Sequence, residues 1–477
     1  MKFKSLLLLI ASLVLILLCW VGLTGSNSGL TIRSWEQAGI PMLFIAPKTS
    51  QPVPGVLIAH GFAGSKQLMQ GYAYNFAHAG YGVLLWDFRG HGANPSSLDF
   101  SSLEPDFNVA LTAIKQQPEI DRTRLALLGH SMGSGVVMSA GVKQPQAFQA
   151  TIAISPTGAE VTPQAPRNLQ LQAGSWEPGF VENAKRLLKQ AGGEGKGRSF
   201  LVIPNVEHIT ILFSHKSHQE ALNWLNQAFN LPSTSNYVDW RMGWYGLHLV
   251  GWLLLLKAIA STAKRSAIAR QLTVHPKKAR LGLLLAPFAA TGITLLVNRG
   301  GDIGNLGGIM VGGAIALWMC FAGLAWLGTI NRFPRPQIEA ILWGIGLFLL
   351  LWMALGLMGQ VVWLQWWLIP RRLLLWVFLS LGCLPWFLAS GIVQPSQSVK
   401  QRILWWLGQT LAVVSGLIIT VLLLPKLGFI FLLIPIFPLI FAMLSFAAAQ
   451  FPQPWSNAVA STCLFGWAIA AAFPLSH

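Results

Sequence analysis

A serine flanked by glycines stands where an apolar run meets a helix-like segment. The run RLALLGH ends with Gly129 and His130, and Ser131, Met132 and Gly133 follow it. Small residues on both sides of a serine allow the tight strand-to-helix turn that exposes its hydroxyl for attack on a carbonyl carbon. We therefore predict that the serine is a nucleophile. The alternative interpretation is a serine that caps the N-terminus of the following helix.

Strand-like and helix-like segments alternate around this serine, between about residues 31 and 230. Continuous apolar strands separated by helices are typical of a parallel sheet that is covered on both faces, so we predict a doubly wound, mostly parallel α/β sheet. The predicted strands are PGVLIAH, YGVLLWDF, RLALLGH, ATIAISP, NLQLQAG and RSFLVIP. Only about a dozen residues join the fourth strand to the fifth, which leaves no room for a lid domain.

Three motifs in this segment resemble those of the α/β-hydrolase superfamily. AHGFAGSK contains His60 and Gly61, DFRGHG contains Asp87, Arg89 and His91, and GHSMG is the serine motif. In their order and separations they are similar to the serine esterase and peptidase branch, over the α/β segment and nothing beyond it. The resemblance implies that the DFRGHG side chains order the loop beside the site and take no part in the chemistry.

The resemblance also implies where the oxyanion of an acyl-transfer intermediate would be held. In such folds one donor comes from the loop after an early strand and one from the residue after the nucleophile. The backbone N–H groups of Phe62 and Met132 are the candidates. The alternative for His60-Gly61 is an ordinary turn at the end of a strand.

The catalytic base of a serine triad follows both the serine and the acid along the chain. His208 ends the last strand-like segment and precedes the helix-like HQEALNWLNQAF, which matches the position of the base in the family. His215 and His218 stay as alternatives a few residues downstream. Their pattern is that of solvated residues in a loop or at a helix start.

The triad acid is the least regular part of the motif set. Family members usually carry Asp after the penultimate strand, but this chain has no Asp between Asp121 and Asp239. Glu177 follows NLQLQAG and is the best substitute, because a carboxylate one methylene longer can still orient an imidazole. Glu207 and Glu182 are alternatives, and an acid from elsewhere or none at all is also compatible with the sequence.

The composition is that of a chain that lipid must partly cover. Hydrophobic residues make up 53% of the 477 residues and charged residues only 10%. We predict an uncleaved anchor over residues 1–24, with a signal peptide as the alternative, and a membrane domain of about eight helices over 244–474. The C-terminal spans are predicted near 244–262, 281–298, 304–330, 338–358, 373–393, 403–424, 427–449 and 455–474, which with the anchor makes nine crossings.

The formal charge of +17 lies outside the predicted α/β domain. Between Thr31 and Trp240 there are 15 Lys/Arg and 14 Asp/Glu, whereas the rest holds 18 Lys/Arg and 2 Asp/Glu. Because the excess falls between apolar spans and forms no stripe on a folded domain, we predict no nucleic-acid partner. The four cysteines all fall in apolar spans, so neither a disulfide framework nor a cysteine zinc site is expected in the α/β domain, and we predict no metal and no cofactor.

Basic loops predict the orientation of the spans. Lys2 and Lys4 precede the first span, and the loops Lys264–Arg280, Asn331–Gln337 and Gln394–Arg402 are basic, which places all of them on the inner side. The Arg371-Arg372 pair is the one opposing signal. We therefore predict an integral protein of the plasma membrane whose α/β domain is extracytoplasmic.

The sequence thus predicts a membrane-bound serine hydrolase that cleaves ester or amide bonds through an acyl-enzyme. Its substrate would be a small-molecule or lipid-like ester or amide, and membrane lipids would be its other partner. Two alternatives remain: a membrane transporter or scaffold whose hydrolase-like domain is a binding module, and an acyltransferase. The sequence makes no prediction of the oligomeric state.

Overall fold

A computed structural model describes residues 3–232, 235–262, 274–393 and 398–477. Its internal contacts divide the chain into two compact units. The α/β unit consists of Leu18–Gly246 and the short segment Met358–Trp367. The helical unit consists of Met1–Leu17, Leu247–Leu357 and Leu368–His477.

A mostly parallel sheet forms the centre of the α/β unit. Its eight strands are β1 Leu30–Gln37, β2 Ile40–Pro47, β3 Val53–Ala59, β4 Gly82–Trp86, β5 Ile120–His130, β6 Ala150–Ile154, β7 Leu169–Gly174 and β8 Arg198–Ile203. Their order is β1-β2-β4-β3-β5-β6-β7-β8. β2 pairs antiparallel with β1 and with β4, and all other pairs are parallel. The six predicted strands are β3 to β8, and β1 and β2 are additional.

Helices cover both faces of this sheet. The first seven helices are α1 Phe3–Gly25, α2 Gln70–His78, α3 Leu103–Lys115, α4 Met132–Lys143, α5 Pro178–Gln190, α6 His215–Phe229 and α7 Arg241–Thr262. Phe76 of α2 and Leu225 of α6 pack with Leu85 in one core cluster. Phe107 of α3 packs with Trp86 in the cluster on the opposite face. Neighbouring residues of β4 therefore face opposite cores, which explains why the strand is apolar without alternation.

The segment Met358–Trp367 belongs to the α/β unit although it lies far from the rest of that unit in sequence. The Gln67 side-chain amide donates to Gln365 Oε1 at 2.6 Å. Trp363 packs against the core cluster that α2 and α6 cover. Gln360 Oε1 in turn accepts from the backbone N–H of Trp366 at 2.7 Å, which orders the segment itself.

The end of the α/β unit is fixed by a buried cation. The Arg241 guanidinium, at the start of α7, lies 3.6 Å from the centre of the Tyr74 ring. It also pairs with Asp239 at 2.8 Å and donates to Gln70 Oε1 at 2.9 Å. A buried charge needs such partners, because an unpaired one loses its hydration without compensation.

The helical unit is built from long apolar helices. Beyond α7, the chain forms α8 Pro276–Gly300, α9 Gly312–Ile330, α10 Ile338–Val362, α11 Pro370–Val393, α12 Val399–Leu423, α13 Phe437–Gln450 and α14 Pro454–Ala472. Within the described residues, seven helices are long and apolar enough to cross a membrane: α1, α7, α8, α9, α10, α11 and α12. An eighth span results if Pro425–Leu432 and Ile434–Gln450, which are bent by 41°, act as one.

These helices differ from the nine predicted crossings in three places. α9 begins at Gly312, because residues Ile303–Gly308 form a separate 3₁₀ turn after α8. The predicted span 427–449 is the bent pair. α14 is not among the seven, and it carries buried polar side chains such as Asn457 and Thr462. Most of the basic loop Lys264–Arg280 and half of Gln394–Arg402 lie outside the described residues.

The Arg371-Arg372 pair has a structural role inside the helical unit. Arg372 is buried and donates to the carbonyl oxygen of Phe473 at 2.7 Å and to that of Ala470. Arg371 donates to the carbonyl oxygen of Ser476 at 2.7 Å. The last carbonyls of a helix have no partner within the helix, and cations there are favourable. This packing gives a reason for the pair that is independent of membrane orientation.

Candidate active site

Ser131 lies on a strained turn between β5 and α4. Its backbone has φ +50° and ψ −119°, a conformation that residues other than glycine rarely adopt. The Ser131 N–H donates to the carbonyl oxygen of Ile154 at 2.9 Å, which ties the turn to the end of β6. The predicted strand-to-helix turn is present, and it brings the serine to the carboxyl edge of the parallel strands.

The glycines of the motif permit this turn. A Cβ at Gly129 would lie 2.3 Å from the Gly133 carbonyl oxygen. A Cβ at Gly133 would lie 2.6 Å from the carbonyl oxygens of both Ala59 and His60, at the end of β3. All of these atoms are backbone and cannot give way, so both positions require glycine.

We expect Gly133→Ala to destabilise the protein by about 1–3 kcal/mol, because the methyl group overlaps backbone atoms of β3. Gly179→Ala in α5 is the matched control, since a Cβ there meets no atom within 4 Å. The control should be neutral or slightly stabilising. Thermal unfolding of the detergent-purified full-length protein measures the difference. Equal melting temperatures for the two variants would contradict the proposed crowding.

His208 lies in the loop after β8 with its ring against the serine. Its Nε2 is 3.1 Å from Ser131 Oγ. The ring stacks on Phe180 with centroids 4.4 Å apart, and the His208 carbonyl oxygen accepts from His130 Nε2 at 2.9 Å. Burial, and then the neighbouring His208, hold the pKa of His130 well below its ordinary value, so His130 is a neutral donor. The sequence did not predict these contacts of Phe180 and His130.

Glu177 follows β7 and completes the arrangement. Its Oε2 is 2.9 Å from His208 Nδ1. Its Oε1 accepts from Ser155 Oγ at 2.7 Å and from the Gly174 N–H. With both oxygens engaged and only 5% of the side chain exposed, the carboxylate has a fixed orientation toward the imidazole.

The alternative bases and acids have other contacts. His218 is buried, its Nε2 lies 2.8 Å from the Leu212 carbonyl oxygen, and burial lowers its pKa to about 4. Glu207 accepts from the N–H groups of the two residues that follow His208 in the chain. Glu182 forms an exposed ion pair with Lys185. The structure therefore brings His208 and Glu177, among these candidates, to the serine.

The two candidate oxyanion donors belong to two backbone segments that adjoin the serine. Met132 is the first residue of α4, and the first N–H groups of a helix have no acceptor within it. Phe62 follows Gly61, where a Cβ would lie 3.1 Å from the Ser131 Cβ. The loop that carries Phe62 therefore lies directly against the serine.

A neutral histidine joins the loops beside the site. The Phe88 N–H donates to His60 Nε2 at 3.1 Å, so the ring proton is on Nδ1, which donates to the Gly61 carbonyl oxygen at 2.8 Å. Burial lowers the pKa of His60 and keeps it uncharged. His60 therefore supports the loop that carries Phe62.

The DFRGHG motif supports the same loops. Asp87 is fully buried, pairs with the Lys66 ammonium, and accepts from the Ala93 N–H at 2.9 Å. The Arg89 N–H donates to Asp106 at 2.9 Å, and its guanidinium lies 3.1 Å from the same carboxylate. None of these contacts reaches Ser131 Oγ, which agrees with an ordering role. The partner Lys66 was not singled out from the sequence.

Comparison with known proteins supports a hydrolase domain. Residues 50–196 match the family model described as "Serine aminopeptidase, S33". The chain is 33% identical over 94 residues to an uncharacterized protein of Mycobacterium tuberculosis, covering 20% of this chain and 34% of that protein. It is 32% identical over 106 residues to a monoacylglycerol lipase of Mycolicibacterium smegmatis, covering 21% and 37%. The chain thus spans about a third of the length of these curated relatives.

Solved structures also match the α/β unit. A dienelactone hydrolase from Anabaena variabilis is 16% identical, with a TM-score of 0.35 over 42% of this chain and 98% of that one. The esterase Est22 is 16% identical, with a TM-score of 0.34 over 43% and 82%.

Proposed function

We propose that the α/β unit is a serine hydrolase that cleaves ester or amide bonds through an acyl-enzyme. The observation that carries the proposal is the continuous arrangement of three side chains at the carboxyl edge of the sheet. Ser131 Oγ lies 3.1 Å from His208 Nε2, and His208 Nδ1 lies 2.9 Å from Glu177 Oε2. A nucleophile within hydrogen-bond reach of a base that a carboxylate orients is the arrangement that activates a serine.

The reaction starts when His208 Nε2 takes the proton of Ser131 as Oγ attacks the substrate carbonyl carbon. The N–H groups of Phe62 and Met132 stabilise the resulting oxyanion. The tetrahedral intermediate collapses, and the leaving alcohol or amine departs with the proton from His208. A water molecule, deprotonated by His208, then attacks the acyl carbon, the bond to Ser131 Oγ breaks, and His208 returns the proton to Oγ as the acid is released. Throughout, Glu177 keeps the ring proton on Nδ1 and stabilises the imidazolium.

An ester of small-molecule or lipid-like character suits an open site. Residues 155–168, which join β6 to β7 and are all described, hold no helix or strand and therefore no lid domain. Relatives named as a monoacylglycerol lipase and an sn-1-specific diacylglycerol lipase support ester cleavage. Water resolves the acyl-enzyme in this proposal, and an acyltransferase would differ only in the acceptor.

A fluorophosphonate probe tests the proposal on the intact protein. We expect it to label the wild type on Ser131, as located by mass spectrometry of the modified peptide, and to leave Ser131→Ala unlabelled. Ser96→Ala is the matched control, because Ser96 lies exposed in a loop, and it should label like the wild type. Absence of labelling in the folded wild type would refute the hydrolase and favour a binding module of a transporter or scaffold.

We further propose that the chain is an integral membrane protein with the α/β unit on the extracytoplasmic side. Seven helices of sufficient length and apolarity support membrane insertion. The excess of basic residues on the predicted inner loops supports the orientation.

Single engineered cysteines test this orientation. In intact cells, a membrane-impermeant maleimide should label Lys185→Cys on the exposed side of α5. Lys400→Cys, exposed at the start of α12, should react only after the cells are permeabilised. The reverse pattern would contradict the orientation and leave membrane insertion in place.

A further inference from the structure

An open groove of about 1190 Å³ runs along the outer side of α4. Its floor is α4, from Met132 to Lys143. One wall is the segment from Phe100 through the first turns of α3, and the other is the loop of residues 158–163 with part of α5. Met132, the residue that follows Ser131 in the chain, lines one end of the groove.

The floor of the groove is apolar beside the serine. Met132, Val136 and Ala140 line it at intervals of four residues, which places them on one face of the helix. The stripe extends over about 12 Å at the rise of an α-helix. Gly135 also lines the groove, and a Cβ there would lie 2.6 Å from Thr157 Oγ1, so the loop packs closely on this first part of α4.

The facing wall presents a large aromatic side chain that is held outward. Phe100 lines the groove and is 55% exposed. Its short 3₁₀ turn is fixed by Asp99, which accepts from the Ser101 N–H at 2.9 Å and from the Ser101 hydroxyl at 2.6 Å. Leu103 and Phe107 continue the apolar wall below it. An exposed phenyl ring in a fixed turn in the wall of a groove is suited to contact an apolar ligand.

The far end of the groove is polar. Lys143, in the last turn of α4, pairs with Glu104 of α3, and both side chains are more than half exposed. Arg186 of α5 also lines this region. An apolar chain that entered from the serine would therefore reach a charged end, which limits the length that is favourably bound.

We propose that this groove binds the unbranched alkyl chain of the substrate's acyl group. The inference rests on the proposed function, because the acyl carbon is bonded to Ser131 Oγ in the acyl-enzyme. Met132, which follows Ser131 in the chain, is the first apolar residue of the groove. A chain that leaves the acyl carbon along α4 would lie between the stripe of Val136 and Ala140 and the ring of Phe100. The site therefore selects medium-chain acyl esters over acetyl esters.

The test uses the ratio of kcat/KM for p-nitrophenyl decanoate to kcat/KM for p-nitrophenyl acetate, measured on the detergent-purified full-length protein. Val136→Trp places an indole in the groove and should lower this ratio at least about tenfold. Phe100→Ala removes an exposed ring that the fold does not require and should lower it about threefold. Thr112→Trp, on an exposed position of α3 outside the groove, is the control for adding a surface indole and should leave the ratio unchanged.

The outcomes separate this proposal from the proposed function. If Val136→Trp and Phe100→Ala both keep the wild-type ratio, the acyl chain does not lie in the groove, and the hydrolase proposal stands. If Val136→Trp does not fold, the ratio of Phe100→Ala decides alone. If the wild type cleaves neither ester and takes no fluorophosphonate label, the proposed function itself fails.

Discussion

Replacement of His208 by alanine should lower kcat for ester hydrolysis by about 10⁴- to 10⁶-fold, with little change in stability. The size of the effect follows from the position of Nε2, 3.1 Å from Ser131 Oγ. Without the imidazole, no group takes the serine proton or returns it to the leaving group. The side chain lies in a loop and is 14% exposed, so the effect of its removal should be confined to that loop and leave the sheet intact. Single-turnover kinetics with a p-nitrophenyl ester measure the loss.

His215→Ala is the matched control for this variant. His215 is exposed at the first residue of α6, and the sequence alone allowed it as the base. Its replacement should change kcat by less than about twofold, as surface substitutions away from a site do. A large loss in His215→Ala together with an active His208→Ala would reverse the assignment of the base.

Glu177→Gln should lower kcat by about 10⁴-fold, as loss of the orienting carboxylate does in serine triads. An amide next to His208 Nδ1 can present its NH₂ group, which stabilises the tautomer that cannot accept the serine proton. The same substitution leaves Oε1 able to accept from Ser155 and Gly174, so the fold is expected to persist. Steady-state kinetics, with melting temperature as the check on folding, measure the effect.

Glu177→Asp separates the effect of the negative charge from the effect of side-chain length. It keeps the carboxylate but shortens the side chain by one methylene, so its kcat should fall between the wild type and Glu177→Gln. Glu182→Gln is the control. Glu182 is exposed in an ion pair on α5, so its substitution should leave kcat unchanged. Full activity of Glu177→Gln would mean that another group orients the histidine.

Local pattern was sufficient for most of the sheet. Strands β4, β6 and β7 and most of β3 and β5 are buried on both faces, and the edge strand β8 is only partly buried, yet each was recognised from its largely apolar segment. β1 was missed because its residues alternate between exposed and partly buried positions without a matching alternation of polar and apolar types. β2, IPMLFIAP, is a continuous apolar run like those of the central strands, so the same signal could have identified it.

The candidate site was predictable where chemistry and chain order restrict the choice. Ser131 has its motif, Glu177 follows the fifth predicted strand and His208 follows the sixth. The residues that hold these side chains in place were not predictable, because their contacts depend on which loops lie close together in the fold. His130 donates a hydrogen bond to the His208 carbonyl oxygen, and Phe180 stacks on the His208 ring. Neither contact is indicated by residue type or by spacing in the sequence.

The unit to which the segment Met358–Trp367 belongs was also not predictable from the sequence. In the sequence it is the end of an apolar span followed by three tryptophans, which resembles the boundary of a membrane helix. In the structure Trp366 is buried and Trp363 packs against the core of the α/β unit. Tertiary contacts such as that between Gln365 and Gln67, almost 300 positions apart, assign the segment to that unit.

Because of this segment, the polypeptide passes between the two units four times, at residues 17–18, 246–247, 357–358 and 367–368. One proteolytic nick after α6 would therefore not set the α/β unit loose, since α1 still holds it. A recombinant fragment limited to residues 31–230 would also lack Trp363, Gln365 and Arg241. It would expose the apolar surface and the Tyr74 ring that those residues cover. The α/β unit is therefore expected to keep its native contacts only in the whole polypeptide.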